Sequence, residues 1–156
     1  MSERKKVLMV CLGNTCRSPM AEAIFINYIT QMNLSNRWCV DSAALRDYHV
    51  NNMPDIRAQT TLRLNGITNY SHLARTITND DFHEFDWILG MDDFNIDELS
   101  RVKPESSKAQ IELLGKYDPE GDVIIRDPFC DQDCTGFFKA YEQCSRSVKR
   151  FLEIHQ

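Results

Sequence analysis

The chemistry in this chain is concentrated in one stretch, Cys11-Leu12-Gly13-Asn14-Thr15-Cys16-Arg17-Ser18-Pro19. A cysteine opens it and an arginine follows six positions later. On a short loop running into a helix, that spacing suits a cradle for a tetrahedral oxyanion. Backbone N–H groups of the loop and first helical turn point inward, and the helix dipole favours negative charge there. Arg17 can grip two oxygens with its guanidinium fork. Cys11 lies at the floor of this positive field, which favours the thiolate, the nucleophilic form. Ser18 can donate a hydrogen bond to that sulfur. It also reads as a helix cap, with Pro19 at the first helical position. Gly13 permits a close backbone approach, and Asn14 tolerates a left-handed conformation. The stretch differs from the nucleotide-binding P-loop, which ends in Lys-Ser/Thr where this chain has Arg17-Ser18. The bland alternatives are a core cysteine after a strand and a solvated arginine at a helix end. An arginine at a helix N-terminus opposes the dipole, which disfavours the second without an anion. Every neighbour of Cys11 agrees with the cradle, which disfavours the first.

Positioning such a loop requires a buried strand before it and a helix after it. The apolar run Val7-Leu8-Met9-Val10 predicts the strand. The stripe Ala21, Ile24, Phe25, Tyr28 and Met32 predicts a helix over Pro19 to Asn33 with one face in the core. Asn33 to Asn36 reads as a turn, and Trp38-Cys39-Val40 as a strand ending at Asp41-Ser42. A polar loop over 45–54 precedes a helix from Pro54 to Leu64, with Gly66 as its C-terminal cap. A short helix over Asp80 to Phe85, a strand at Trp87-Ile88-Leu89 and a helix over Asp93 to Arg101 come next. Gln110 to Leu114 is a further strand, Gly115 to Thr135 a long loop, and Phe137 to Glu153 the last helix. Strands alternate with helices, the pattern of a parallel α/β sheet. Ligands bind such sheets at the carboxyl ends of the strands, at a switch point, and Cys11 lies at such an end.

Composition narrows the function. The chain has 156 residues, a net charge of −5 and 42% hydrophobic residues, which suits one domain over 1–156 with a real core. An acidic chain without a long basic run is a poor binder of nucleic acid or of a membrane surface. No stretch approaches a transmembrane length, and the N-terminal apolar run is too short for a signal peptide. Six irregularly spaced cysteines without a secretory signal predict free thiols in a reducing, cytoplasmic compartment.

The string Cys11 to Pro19 closely resembles the signature of the low-molecular-weight protein tyrosine phosphatase family. The likeness continues through Asp41-Ser42-Ala43-Ala44, Ser71-His72, Ile111-Glu112-Leu113-Leu114-Gly115 and Asp127-Pro128, and so covers nearly all of the chain. It implies a three-layer α/β sandwich: a central parallel sheet of about four strands in flavodoxin-like order, with helices on both faces. It implies that Cys11 attacks phosphorus and that Leu12, Gly13, Asn14, Thr15, Cys16, Arg17 and Ser18 hold the phosphoryl oxygens. Asp127 matches the family's general acid, which protonates the leaving group and then takes a proton from water. Read without the family, Asp127-Pro128 is an ordinary turn opener. Asn14, Ser42 and His72 match the hydrogen-bond set that, with Ser18, supports the loop. Cys16 matches the second loop cysteine, which can bond reversibly to Cys11 under oxidation. No cofactor and no metal is implied. The partners are phosphorylated protein substrates, and inorganic phosphate is the product.

Two positions depart from the tyrosine-specific pattern. Thr15 stands where phosphotyrosine phosphatases usually have Ile, and Phe129 follows Asp127-Pro128 where they usually have Tyr. Both resemble the protein arginine phosphatase branch. Thr replaces apolar surface with a hydroxyl, which suits a polar group better than an aromatic ring. Asp127 can hold a guanidinium as well as protonate it, with Phe129 and Tyr48 as walls. His49 stands where the family often has an acidic residue. Asn51-Asn52 replaces a common Gly-Asn pair. Phosphoarginine is therefore the favoured substrate, and phosphotyrosine or acid phosphatase activity the alternative. Arsenate reduction ranks lower, since no cysteine lies between Cys39 and Cys130; Cys130 and Cys134 are the remaining candidates for a redox pair. A metal site at Cys130, Asp131, Asp133 and Cys134 lacks a matching second pair or histidine. A non-catalytic phospho-binding module would not need Cys11, Arg17 and Asp127 together.

Overall fold

The computed structural model describes residues 3–156. Strand β1 (Lys5–Cys11) is followed by α1 (Arg17–Gln31), β2 (Trp38–Ala44), α2 (Ile56–Leu64) and α3 (Asn79–Glu84). Then come β3 (Trp87–Gly90), α4 (Asp93–Val102), β4 (Gln110–Leu113) and α5 (Thr135–Ile154). All strand pairs are parallel, in the order β2-β1-β3-β4. That is the flavodoxin-like order, with its switch point between β1 and β3.

Helices cover both faces, which explains the continuous apolar run of β1. Val7, Met9 and Cys11 point into a core shared with α1, α2 and α5; Leu8 and Val10 point into a second core with Phe82 of α3 and Leu99 of α4. Alternate side chains of a strand face opposite sides, so a strand covered on both must be apolar throughout. Helix α5 buries a stripe at helical spacing: Phe137, Tyr141, Cys144, Val148 and Phe151. Phe151 meets Trp38, Trp87 and Tyr117 at centroid distances of 5.5, 5.2 and 5.0 Å, closing the core at the end of the sheet away from Cys11. Burying one such ring contributes about 1.5–3 kcal/mol.

Several boundaries differ from the sequence reading. Helix α1 begins at Arg17, with Cys16 as its N-cap and no side-chain cap. Ser18 therefore does not cap, and Pro19 is the third helical residue. The hydroxyl of Ser18 is engaged elsewhere, as described below. Asp55, not Pro54, introduces α2, its carboxylate accepting the N–H of Arg57. The long loop opens with a short 3-10 turn, Leu114–Tyr117. Gly66 ends α2 as expected, at φ +85°. Among the described residues, no helix is long and apolar enough to cross a membrane.

Candidate active site

Cys11 ends β1, and the next five residues turn back so that α1 can start at Arg17. Asn14 makes the turn possible by adopting φ 59°. An asparagine there costs less than most residues, and its amide repays the strain. Its side chain is fully buried and completely bonded. Nδ2 donates to Ser18 Oγ at 2.8 Å and to Ser42 Oγ at 3.0 Å. Oδ1 accepts from His72 Nε2 at 2.7 Å and from the Arg75 N–H at 3.1 Å. Because Ser18 accepts from Asn14, its own hydrogen turns to Cys11 Sγ, 3.0 Å away. The Ser18 N–H also points at that sulfur, at 3.4 Å. Ser42 in turn donates to Glu22 Oε1 at 2.6 Å. A single direction of donation thus runs from Asn14 both to the sulfur and to a buried carboxylate.

The same logic sets the histidine. Asn14 Oδ1 can only accept, so His72 carries its hydrogen on Nε2. Burial holds His72 below the ordinary imidazole pKa, Arg75 adding to this and Asp41 opposing it. Its approach to Glu22, 3.6 Å from Nδ1, is therefore not an ion pair at neutral pH. Glu22 is pushed up to about 7 by burial, against the hydrogen bonds from Ser42 and Tyr70. Glu22, Asp41 and His72 are the one group among the described residues whose ligand atoms gather as a metal site would require. The Arg75 guanidinium already sits 3.0 Å from Asp41.

Arg17 is 2% exposed. Its Nη1 donates to Asp92 Oδ2 at 2.6 Å and to the Ile125 carbonyl at 2.9 Å, and Nη2 lies 3.6 Å from Asp127 Oδ2. Burial opposes its charge, but Cys11, Asp127 and Asp92 outweigh burial and leave the pKa above the usual arginine value. Asp92 lies just beyond β3, so the pair spans the switch point. The sequence reading expected only an anion to stabilise this arginine; a carboxylate of the protein does part of that work. Two sets of donors are left over. Arg17 Nε is buried without a partner. Among the described residues, the N–H groups of Leu12 to Cys16 donate to no protein acceptor. Such a set fits a tetrahedral oxyanion.

A cavity of about 210 Å³ lies over this loop. Its floor is Cys11, Leu12, Gly13, Thr15 and Cys16; its walls are Tyr48, His49, Asp127 and Phe129. Gly13 leaves room for the His49 ring, since a Cβ at this position would come 2.7 Å from His49 Cδ2 and displace it. The His49 ring also packs against Phe129, 5.4 Å between centroids. Thr15 is nearly buried, whereas Tyr48, Phe129 and Asp127 are exposed enough to meet a ligand. Asn51 takes φ 70° at this rim, so the second asparagine of the chain's unusual pair needs no glycine before it. Cys16 sits at the floor, where burial first, then Asp55 and Cys11, push its thiol well above the usual range. Cys130 and Cys134 are unbonded, as are the other four cysteines.

The structure thus brings together Cys11, Arg17, Asp127, the 12–18 loop, Ser42, His72 and the four expected rim residues. Sequence reasoning missed Asp92, Glu22, Tyr70, Arg75 and the Asp55–Arg57 pair. Asp92 alone carried a signal, an acidic residue at the carboxyl end of a predicted strand. The others are contributed by elements whose docking no local pattern reveals.

A parallel sheet with a thiol, an arginine and orphan amides at its switch point defines a cysteine-based phosphatase. Residues 6–155 match the family model for low molecular weight phosphotyrosine protein phosphatases, and the chain belongs to that family. The Gallus gallus low molecular weight phosphotyrosine protein phosphatase is 48% identical over 153 residues, covering 97% of this chain and 96% of that one. The crystal structure of DARP, a drosophila arginine phosphatase, superposes with a TM-score of 0.90 at 44% identity, over 97% of this chain and 98% of that one. Primo-1 gives a TM-score of 0.91 at 40% identity with the same coverage. The expected three-layer α/β architecture is therefore the observed one.

Proposed function

We propose that this enzyme hydrolyses phosphorylated protein side chains through a cysteinyl-phosphate intermediate, with phosphoarginine preferred. Cys11 Sγ attacks phosphorus, forming an S–P bond as the bond to the leaving atom breaks. The cradle amides and Arg17 hold the three oxygens as charge redistributes. Asp127 gives its proton to the leaving atom, then takes one from the water that attacks the S–P bond and releases inorganic phosphate. The carrying observation is convergence: Cys11, the loop residues Leu12, Gly13, Thr15 and Cys16, and Asp127 line one cavity, and Arg17, whose Nε has no partner, comes within 3.6 Å of Asp127. Six free thiols support a reducing, cytoplasmic setting. Replacing Cys11 with Ser is expected to cut turnover of an aryl phosphate by at least about 10⁴-fold; undiminished turnover would end the reading.

Phosphoarginine is favoured by a polar residue, Thr15, in the cavity floor and by Asp127 in the lining of the same cavity. The protonated carboxyl of Asp127 can donate its proton to the leaving nitrogen, the resulting carboxylate can hold the planar guanidinium of the released arginine, and Phe129 offers that group a ring face. The arginine phosphatase among the similar structures supports this reading. Phosphotyrosine is the second reading, favoured by the names of relatives at 48% identity and by the aromatic His49–Phe129 edge. Thr15→Ile is expected to lower the ratio of kcat/KM for phosphoarginine over phosphotyrosine peptides by about 10-fold or more. An unchanged ratio removes Thr15 as the discriminator.

A further inference from the structure

The segment carrying Asp127 is held at both ends by groups from other parts of the chain. Upstream, Ile125 is tied to the sheet through its N–H to Met91 and its carbonyl to Arg17. Downstream, the chain turns through Pro128 to Asp131 at the surface, in a stretch without helix or strand. One side chain from a distant element meets it there. Arg57, on the first turn of α2, donates from Nη2 to the Phe129 carbonyl at 2.8 Å and from Nη1 to the Asp131 carbonyl at 2.7 Å.

Arg57 is itself fixed from three sides. Asp55 accepts from its backbone N–H at 2.9 Å, from Nε at 3.0 Å and from Nη2 at 2.9 Å. The guanidinium also lies 4.5 Å over the ring of Phe137, which is fully buried. Asp55 is in turn anchored to the cradle, its N–H donating to the Thr15 carbonyl at 2.8 Å. A continuous path therefore leads from the loop beneath the sulfur, through Asp55 and Arg57, to the carbonyls on either side of Cys130. Arg126 and Asp131 also pair across this turn, but Arg126 is exposed and such a pair adds little order. A pre-organised guanidinium bonded to two carbonyls and a carboxylate is a stiffer tie.

We propose that Arg57 is a positioning residue for the proton-transfer step: it holds the Asp127–Asp131 turn so that the Asp127 carboxyl stays over Cys11. This rests on Asp127 being the general acid. Catalytic groups lose efficiency steeply with displacement, so a residue well outside the chemistry can govern them. The function of Arg57 is carried by its fork, not by its charge alone, because both carbonyls must be reached at once.

The experiment compares kcat/KM for para-nitrophenyl phosphate, whose phenolate leaves with little help, and phenyl phosphate, whose leaving group needs the proton. Wild type, Arg57→Ala, Arg57→Lys, Asp127→Asn and the Arg57→Ala/Asp127→Asn double variant are measured, each after thermal melting. In Arg57→Ala, the phenyl phosphate value is expected to fall at least about tenfold further than the nitrophenyl value, part of the ~10²–10⁴-fold that a general acid supplies. Arg57→Lys is expected to recover only part of this. In the double variant the loss is expected to be close to that of Asp127→Asn alone, because one residue acts through the other. An equal loss on both substrates, or losses that simply multiply, overturns the proposal while leaving Asp127 in place. If Asp127→Asn itself shows no leaving-group dependence, the acid assignment falls and the proposal with it. Should Arg57→Ala not fold, Asp55→Asn gives the same readout, since Asn preserves the helix cap while loosening Arg57.

Discussion

The floor and the wall of this cavity are held in opposite ways. Asn14, Ser18 and Ser42 beneath the sulfur are all fully buried, and neutral hydrogen bonds join them. The wall that carries Asp127 is a surface turn whose ties are ionic or charge-assisted, through Arg17, Arg57 and Arg126. Buried neutral networks are geometrically unforgiving, since an unmet partner inside the protein is costly. The wall has fewer ties, each to a single guanidinium, and the Arg126–Asp131 pair among them is exposed and cheap to break. The phosphoryl group is a constant of the reaction and the leaving group is not. A floor locked by a buried network, and a wall held at a few points from outside, fit that division.

The contrast can be broken from either side. The largest expected effect is on the wall. Asp127→Asn should lower kcat by about 10²–10⁴-fold while changing stability by no more than about 0.5 kcal/mol, because the side chain is well exposed. Steady-state kinetics together with denaturant melts would check both halves; a marked loss of stability would mean that the wall is as structural as the floor. Next comes Asn14→Ala, which should cost both activity and about 2–4 kcal/mol of stability. It strips four hydrogen bonds from a buried site and leaves alanine at φ 59°. A variant that melts like wild type would show the network to be dispensable.

The smallest effect concerns Glu22 and sharpens the view of the floor. Its carboxyl binds a proton more tightly in the folded chain, near 7, than at the ordinary value of 4.5. The fold therefore enjoys its full advantage below pH 4.5 and loses it as pH rises towards 7. Glu22→Gln removes this dependence while keeping an acceptor for Ser42 and Tyr70. Relative to wild type, its melting temperature should rise between pH 5 and pH 7.5, by an amount equivalent to at most about 3 kcal/mol. A difference that stays flat across that range would mean that the carboxyl is ionised throughout, and that the floor tolerates a charge.

Much of the cradle was legible because it is local. Cys11, Arg17 and Ser18 fall within eight residues, and the strand and helix on either side announce themselves through β1's apolar run and α1's stripe. The misread cap at Ser18 has a local cause too. Serine before a proline looks like a helix start, but a stronger claim on its hydroxyl comes from Asn14 and the sulfur. Asp127 needed the family likeness, because one aspartate before one proline carries no chemistry of its own.

The chain's residues by themselves determined the alternation of strand and helix, and the order of charge and sulfur along one loop, since both follow from short-range sterics and periodicity. They did not determine which distant groups meet that loop. Only the packed sheet decided that Asp92 would face Arg17 across the switch point, that Glu22 would stand behind Ser42, and that Arg57 would reach the turn beyond Asp127. Those encounters depend on how helices settle onto a twisted sheet, a property of the whole core that no window of sequence contains.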